Sequence, residues 1–319
     1  MVTIKDVAAA AGVSPSTASR ALNDKGTISP KVRAQIKKVA KELNYHPNEL
    51  ARSLQTRRTH MIGLVAHQAD TPFYGRLIQS VERRCFENGY KLLLCTTGGS
   101  AIRENTFAQM FDANKLDGAI LAGWVDYDSE FSSPNLPVVT VERYIDDSVP
   151  MVACDNVGGG RMAARLLYER GSRCVAVFAE QGPTMNERYK CFLAECEQLG
   201  MRCILDSPQF LDGEYLRFFE EYFGKYPALD GFFCVDEIAM ICYEACRDLQ
   251  IKVPEQVQIL GFDGMMITKR FNISTVAQPI EEMGTLAFEL LMKQIKGELV
   301  ASRSILSVKF LERKTTRKL

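Results

Sequence analysis

A short polar run near the start of the chain offers side chains that suit hydrogen bonding to DNA bases. If residues 15–20 form a helix, its exposed face carries Pro15, Ser16, Thr17, Ser19 and Arg20. An arginine guanidinium can donate two hydrogen bonds to guanine O6 and N7, and a small apolar residue can contact a thymine methyl group. The chemistry available here is therefore recognition of a DNA groove.

The residues around this run predict two short helices joined by a tight turn. Ile4, Val7 and Ala8 fall on one face at helical spacing, and Gly12 is typical of a helix C-terminus. Ser14 is a good N-cap for a second helix that begins with proline. The pattern indicates a helix-turn-helix, and an ordinary helical hairpin is the alternative.

A third helix and a connector complete the N-terminal segment. Ser29-Pro30 predicts the start of a helix over 31–43, whose apolar stripe is Val32, Ile36, Val39, Ala40 and Leu43. Residues 45–48 form a connector, and residues 48–54 a last short helical segment. Residues 55–60 are polar and basic, as expected of a linker.

The charge balance separates the N-terminal segment from the rest of the chain. Residues 1–60 hold eleven Lys and Arg against four Asp and Glu, whereas residues 61–319 hold 28 against 35. The N-terminal segment is therefore basic and the remainder acidic. A basic segment suits contacts with the phosphates of DNA, because each phosphate that is neutralised releases counterions and adds affinity.

Composition argues against metal, disulfide and membrane functions. The ten cysteines lie mostly in apolar contexts without a Cys-x-x-Cys motif, and the three histidines have no plausible nucleophile beside them. We expect buried, reduced thiols, no metal and no cofactor. No leader follows Met1 and no run approaches the ~18 apolar residues of a membrane span, so we expect a cytoplasmic protein.

From Met61 onward, short apolar strands alternate with helices, which predicts parallel sheets covered on both faces. Ligands of such sheets bind beyond the carboxyl ends of the strands. The predicted strands are 61–66, 91–95, 118–121, 138–141, 175–178, 231–235 and 258–261; the predicted helices are 74–88, 104–113, 159–170, 187–198, 238–249 and 280–297. The turns to inspect follow Ala66, Leu121, Cys154, Phe178, Val235 and Gly261.

Ordered motifs along the whole chain resemble the lactose-repressor (LacI/GalR) family of bacterial transcription regulators. They are Thr3-Ile-Lys-Asp-Val-Ala, Gly12-Val-Ser-Pro-Ser-Thr-Ala-Ser-Arg-Ala-Leu-Asn23, Tyr45-x-Pro-Asn-x-x-Ala-Arg-Ser-Leu54, Ile62-Gly-Leu-Val, Pro72-Phe-Tyr74, Leu116-Asp-Gly118, Asp155-Asn156 with Gly158-Gly159, Val253-Pro254, Gly261-Phe-Asp263 and Glu282-Met-Gly284.

The resemblance implies an all-α helix-turn-helix head with a hinge helix, followed by an α/β core of two periplasmic-binding-protein-like lobes with parallel sheets. By analogy, the head is 1–47, the hinge and linker 48–60, and the effector-binding and dimerisation core 61–319. Lobe one is about 61–157 and 277–306, and lobe two about 158–276 and 307–319. The expected partners are a second copy of the chain, a near-palindromic operator in double-stranded DNA, and a small carbohydrate effector.

The family pattern also implies roles for individual residues. Arg20, Ser16 and Pro15 occupy base-reading positions, and Leu54 matches a leucine that family members wedge into the minor groove. The implied DNA-binding set is Thr3, Ser14, Pro15, Ser16, Thr17, Ser19, Arg20, Asn23, Ala51 and Leu54. The implied effector-binding set is Phe73, Tyr74, Trp124, Asp155, Arg188, Phe210, Glu237, Asp263 and Gln278.

This chain departs from the family pattern at three places. Asp236-Glu237 stands where the family commonly has Asn-Asp, and Cys191 and Cys242 stand where it commonly has glycine. A carboxylate that is one methylene longer reaches a different ligand hydroxyl, so the effector of a relative cannot be transferred.

The resemblance thus predicts a transcriptional regulator, most often a repressor, controlled by a sugar-like molecule between two lobes. A corepressor-dependent regulator that responds to a purine or another metabolite is the alternative. Two further alternatives on the same core fold are more remote: a solute-binding protein and an enzyme. The enzyme would have to use residues 158–160 as a phosphate-binding loop at a helix N-terminus.

Overall fold

The computed structural model describes residues 2–24, 26–45, 58–123, 136–179, 186–208 and 215–318. The chain divides into two compact units, Met1–Thr59 and His60–Leu319. The predicted hinge segment at 48–54 lies outside the described residues.

In its described residues, the first unit has three helices around a small core: α1 (Ile4–Ala11), α2 (Pro15–Leu22) and α3 (Pro30–Glu42). Val7, Ala18 and Ile36, one from each helix, are fully buried against one another. Gly12 ends α1 at φ 67°, and the Ser14 side chain accepts a hydrogen bond from the Thr17 amide at the start of α2. The two predicted short helices, with Gly12 at the end of the first and Ser14 as the cap of the second, are confirmed in this unit.

The described strands of the second unit form two six-stranded sheets. The first has the order β11-β5-β4-β3-β1-β2 and consists entirely of parallel pairs. Its strands are β1 (Met61–Ala66), β2 (Lys91–Thr96), β3 (Gly118–Ala122), β4 (Val138–Val141), β5 (Met151–Cys154) and β11 (Arg303–Leu306).

The second sheet has the order β12-β10-β9-β8-β6-β7 and is parallel except for the antiparallel pair of β10 and β12. Its strands are β6 (Cys174–Phe178), β7 (Arg202–Asp206), β8 (Gly231–Phe233), β9 (Gln258–Asp263), β10 (Ser274–Ala277) and β12 (Lys309–Leu311). We call the layers built on the first and second sheets lobe one and lobe two.

Helices cover both sheets, as buried strands of this kind require. Lobe one carries α4 (Pro72–Glu87), α5 (Ala101–Ala113) and α11 (Ile280–Ile295), and α4 packs against α11. Lobe two carries α6 (Asn156–Glu169), α7 (Glu187–Gln198), α8 (Tyr215–Lys225), α9 (Asp236–Asp248) and the short α10 (Met266–Arg270), and α6 packs against α7.

Along the residues that the structure describes, the chain passes between the lobes three times. The connections run from β5 to α6, from β10 to α11 and from β11 to β12. The crossings predicted near Val157, Val276 and Leu306 lie beside these connections. All ten cysteines are free thiols, and the described part of the chain contains no helix long and apolar enough to cross a membrane.

Some predicted boundaries were wrong by two or three residues. Helix α6 begins at Asn156, not Gly159, because the Asp155 side chain accepts from the Gly158 amide and caps the helix three residues earlier. Strand β8 ends at Phe233, not Val235, because Val235 is already the N-cap of α9. The early start of α9 places Asp236 on a helix instead of in a turn.

Candidate DNA-binding face and ligand cleft

Helix α2 has one buried and one open face. Ala18 and Ala21 are fully buried, whereas Pro15, Ser16 and Arg20 are exposed. The alanines allow α2 to approach its neighbours closely, so the polar side chains are held on the opposite face by packing. This face presents the hydrogen-bonding groups that the sequence predicted.

Five other predicted DNA-binding residues take part in contacts that stabilise the helix ends. Thr3 donates from its amide and hydroxyl to Asp6, at 2.7 and 2.8 Å, in a capping box on α1. The Ser14 hydroxyl lies 2.9 Å from that of Thr17, and the Asn23 amide donates to the Ser19 carbonyl at 2.9 Å. Pro15, Ser16 and Arg20 are therefore freer for contact with bases. Ala51 and Leu54 lie outside the described residues.

The centre of the second unit is organised around Arg188, at the N-terminus of α7. Its guanidinium lies 4.0 Å from the centroid of the Phe262 ring, and its Nη1 is 3.1 Å from Asp263 Oδ1. The Nε atom donates to Asn156 Oδ1 at 2.9 Å. Burial is the largest single influence on the pKa of Arg188 and lowers it, but the acidic groups around the guanidinium, Asp263 first among them, together outweigh burial and raise this pKa.

Asp263 is the last residue of β9 and has a strained backbone. Its φ of 116° is unusual for a residue with a side chain and is typical of functional positions. Gln278 Nε2 donates to its Oδ1 at 2.5 Å, while Gln278 Oε1 is buried and has no hydrogen-bond partner among the described residues. Burial raises the pKa of Asp263, and Arg188 partly offsets that rise.

The network extends from Arg188 to lobe one through two residues that the sequence analysis did not assign. Asn156 donates to Glu142 Oε2 at 2.7 Å, and the Cys154 amide donates to Glu142 Oε1 at 2.6 Å. Glu142 follows β4 at φ 56°, so its position depends on the fold of lobe one. A continuous set of polar contacts therefore joins the ends of strands from both lobes.

Three glycines allow this arrangement to pack closely. A Cβ atom on Gly158 would overlap the Asp155 carboxylate, one on Gly159 would press on Phe262, and one on Gly160 would overlap the backbone of Arg188. The carboxylate of Asp155 fills the N-terminus of α6, where a phosphate loop would bind its ligand. The glycine run thus serves helix packing.

Asp236 and Glu237 occupy different environments. Asp236 is fully buried, accepts from Thr275 Oγ1 and the Met265 amide at 2.6 Å each, and has a pKa that burial raises to about 7. The Glu237 side chain is exposed; partial desolvation and the charges of Asp263 and Asp70 raise its pKa. Asp236 therefore links β10 to the loop that follows β9, and the Glu237 carboxylate is the one available to a ligand.

The aromatic residues predicted for lobe one lie together at the start of α4. The Phe73 and Tyr74 rings meet edge to face with centroids 5.2 Å apart, and both are half-buried. Gly123, at φ 89°, leaves room for the Tyr74 hydroxyl. Trp124 and Phe210 lie outside the described residues.

The comparisons with known proteins agree in both units. A sequence model described as bacterial regulatory proteins, lacI family, matches residues 3–48, and a periplasmic binding protein-like domain matches residues 164–316. The ribose operon repressor of Halalkalibacterium halodurans is 33% identical over 324 residues, covering 99% of this chain and 98% of that protein. The chain belongs to the lacI family. The resemblance found in its motifs is confirmed.

Solved structures support the same fold. The lac repressor dimer bound to operator and the anti-inducer ONPF superimposes with a TM-score of 0.86 at 19% identity, covering 99% of each chain. A LacI transcriptional regulator from Alkaliphilus metalliredigens QYMF, complexed with D-xylulofuranose, has a TM-score of 0.71 at 29% identity, covering 81% of this chain and all of that one. The predicted helix-turn-helix head and two-lobed α/β core are confirmed.

Of the predicted effector-binding residues that the structure describes, only some contact one another. Arg188, Asp263 and Gln278 form one hydrogen-bonded group. Asp155 is engaged in capping α6 instead, and Asn156, the adjacent residue, contacts Arg188. The sequence held a signal for the role of Asp155, because a capping carboxylate commonly precedes the first helical residue.

Proposed function

We propose that this lacI-family protein is a dimeric, sequence-specific DNA-binding repressor that acts in the cytoplasm. An uncharged carbohydrate bound between the two lobes controls its affinity for a near-palindromic operator. The observation that carries the proposal is the buried Arg188, whose guanidinium is held by Phe262, Asp263 and Asn156 where the strand ends of both lobes meet. A relative described as a ribose operon repressor supports this class of function.

The geometry around Arg188 suits a sugar. Hydroxyl groups donate and accept, and the group formed by Arg188, Asp263 and Gln278 offers both a charged donor and several acceptors. The buried Gln278 Oε1 lacks a donor among the described residues, and a ligand hydroxyl would supply one. The D-xylulofuranose complex of a family member is consistent with this chemistry.

The charges around the cleft favour a ligand without phosphate or carboxylate. The charges of Asp263 and Asp70 both act on Glu237, and the Arg188 guanidinium is already paired with Asp263. An anionic ligand would meet these carboxylates at short range, where burial weakens screening. We therefore assign an unphosphorylated sugar to this site.

We assign the chain no catalytic activity. The glycine run that an enzyme would use for phosphate binding is packed against Arg188 and Phe262, with the Asp155 carboxylate at the helix N-terminus. A ligand at Arg188 would contact both lobes and thereby change their relative position, which is the requirement of an allosteric regulator.

Two measurements test the proposal. Selection from random DNA should enrich a near-palindrome that the full chain binds in preference to random sequence. Thermal denaturation should then be followed with matched pairs of sugars and their phosphates. A free sugar that raises Tm and changes operator affinity supports the proposal, because a ligand that binds the folded state stabilises it. Selective binding of a sugar phosphate over its parent sugar, or enrichment of no sequence, would contradict it.

A further inference from the structure

Two arginine–glutamate pairs join helices α4 and α11 within lobe one. Arg76 binds Glu281 with 2.7 and 2.6 Å contacts from Nη2 to the two carboxylate oxygens and a 2.9 Å contact from Nε. Eight residues further along both helices, Arg84 Nη2 lies 3.1 Å from Glu289 Oε1. The pairs are chemically alike, so any difference in function depends on what else each arginine contacts.

Arg76 has a further contact that reaches lobe two. Its Nη1 donates to the carbonyl oxygen of Gly264 at 3.3 Å, and Gly264 directly follows β9 of the second sheet. Arg84 instead uses Nη1 to bind Glu87 on its own helix, at 2.9 Å. Of these two arginines, Arg76 is the one that donates a hydrogen bond to lobe two.

The Gly264 carbonyl is rigidly attached to the ligand-binding end of lobe two. Gly264 has φ 75° and lies so close to Ala277 on β10 that a Cβ atom would overlap that residue. Its amide donates to Thr275 Oγ1 at 3.3 Å. It also directly follows Asp263, the partner of Arg188, so any shift of Asp263 would move this carbonyl as well.

We propose that Arg76 is an interlobe latch: Glu281 holds its guanidinium on lobe one, and its bond to Gly264 sets the resting angle between the lobes. This inference deepens the proposed function, on which it rests for its regulatory meaning. Arg76 is a positioning residue, because it acts through Gly264 on the loop beside Asp263. The side chain is 32% exposed, so the bond can break without burying an unpaired charge.

The test compares Arg76→Met with Arg84→Met in the full chain. Each substitution removes one α4–α11 ion pair and keeps the apolar stem, so each should lower Tm by a similar small amount. The distinguishing measurement is hydrogen–deuterium exchange of residues 264–270 without ligand. We expect exchange in this segment to be about fivefold faster in Arg76→Met, as for loss of one hydrogen bond, and unchanged in Arg84→Met.

A second variant separates the bond to lobe two from the ion pair within lobe one. Glu281→Gln leaves Arg76 in place but removes the charge that orients it, so its effect on exchange of 264–270 should have the same sign and be smaller. Equal exchange in Arg76→Met and Arg84→Met, or no increase in Arg76→Met, would overturn the latch.

Operator binding provides an independent readout. Arg76→Met should change ligand-free operator affinity by about two- to fivefold, whereas Arg84→Met should not, because only the former alters the balance between lobe angles. If the wild type binds no operator, the proposed function fails, yet the exchange experiment still decides whether the latch exists. If operator binding is normal and exchange is unaffected, the latch alone is wrong.

Discussion

The central carbon of the Arg188 guanidinium lies over the ring of Phe262, 4.0 Å from the ring centroid. The ring contacts the guanidinium from one side, while Asn156 and Asp263 accept hydrogen bonds from its Nε and Nη1 atoms and fix its orientation. The remaining donor edge is thereby oriented before any ligand arrives. Preorganisation of this kind lowers the entropy cost of binding.

Arg188→Lys should abolish most of the response to ligand although it keeps the charge. A lysine ammonium cannot stack on Phe262 and cannot donate to Asn156 and Asp263 in one plane. We expect ligand affinity to fall by about tenfold or more, as for loss of one charge-assisted hydrogen bond. Titration calorimetry would measure this, and ligand-free operator affinity should remain near that of the wild type. A normal ligand response in Arg188→Lys would show that the ligand binds elsewhere.

Gly160→Ala should destabilise the core because the added methyl group overlaps the Arg188 backbone. Overpacking of a buried position typically costs about 1–3 kcal/mol, and here it would also displace Arg188. Gly224 is the matched control, since it is also helical and its Cβ would meet no atom within 4 Å. Gly224→Ala should be neutral or stabilise by up to ~1 kcal/mol through helix propensity. Denaturant unfolding of both variants decides the point.

The sequence predicted the alternation of elements well because buried parallel strands and caps leave strong local signals. Strand 138–141 and helix 187–198 were predicted at their observed bounds. The contacts among side chains depend on register between distant strands, which the sequence does not reveal. Glu142 and Asn156 were therefore missed, while Asp155, in a conspicuous motif, was assigned to the ligand although it caps α6. The predicted residue sets as a whole stay predictions.

Asp236 should make stability of the core depend on pH. Its folded pKa of about 7 lies above the ordinary value of 3.8, so the folded state binds the proton more tightly than the unfolded state. The stability that this group contributes is fully present below about pH 4 and is lost as the pH rises towards and through 7. The loss amounts to roughly 4 kcal/mol at most, from three pKa units.

Asp236→Asn should remove this dependence. The neutral amide can accept from the Met265 amide and donate to Thr275, whose hydroxyl can reverse its role. The variant should gain stability relative to wild type as pH rises from 5 to 8, which chemical denaturation at each pH would show. Asp263 contributes a pH dependence of the same sign to the variant and the wild type. The quantity to compare is therefore the difference between their free energies of unfolding at each pH. If that difference in the free energy of unfolding stayed constant from pH 5 to 8, the raised pKa assigned to Asp236 would be wrong.

Arg20→Ala should relax base preference at one position in each half of the operator. Loss of a bidentate contact to guanine costs about 1–3 kcal/mol, and the loss should disappear on a site that lacks that guanine. Lys38→Ala is the control, because Lys38 is 78% exposed on α3 and forms an i,i+4 pair with Glu42. It should alter affinity for all sequences alike. Binding to a panel of single-base operator variants distinguishes the two patterns.

A fragment of residues 60–319 should bind the ligand but not DNA. The boundary coincides with the division between the two compact units, and residues 61–319 carry 28 basic against 35 acidic residues. The basic residues of the head are expected to make the phosphate contacts, whereas an acidic body repels a polyanion. The fragment should show the ligand-induced rise in Tm of the full chain and no operator binding at moderate salt in a mobility-shift assay. Because the ligand contacts proposed here all lie in the second unit, loss of ligand binding in a folded fragment would mean that the head contributes to the ligand site. Operator binding by the fragment would place DNA contacts on the core.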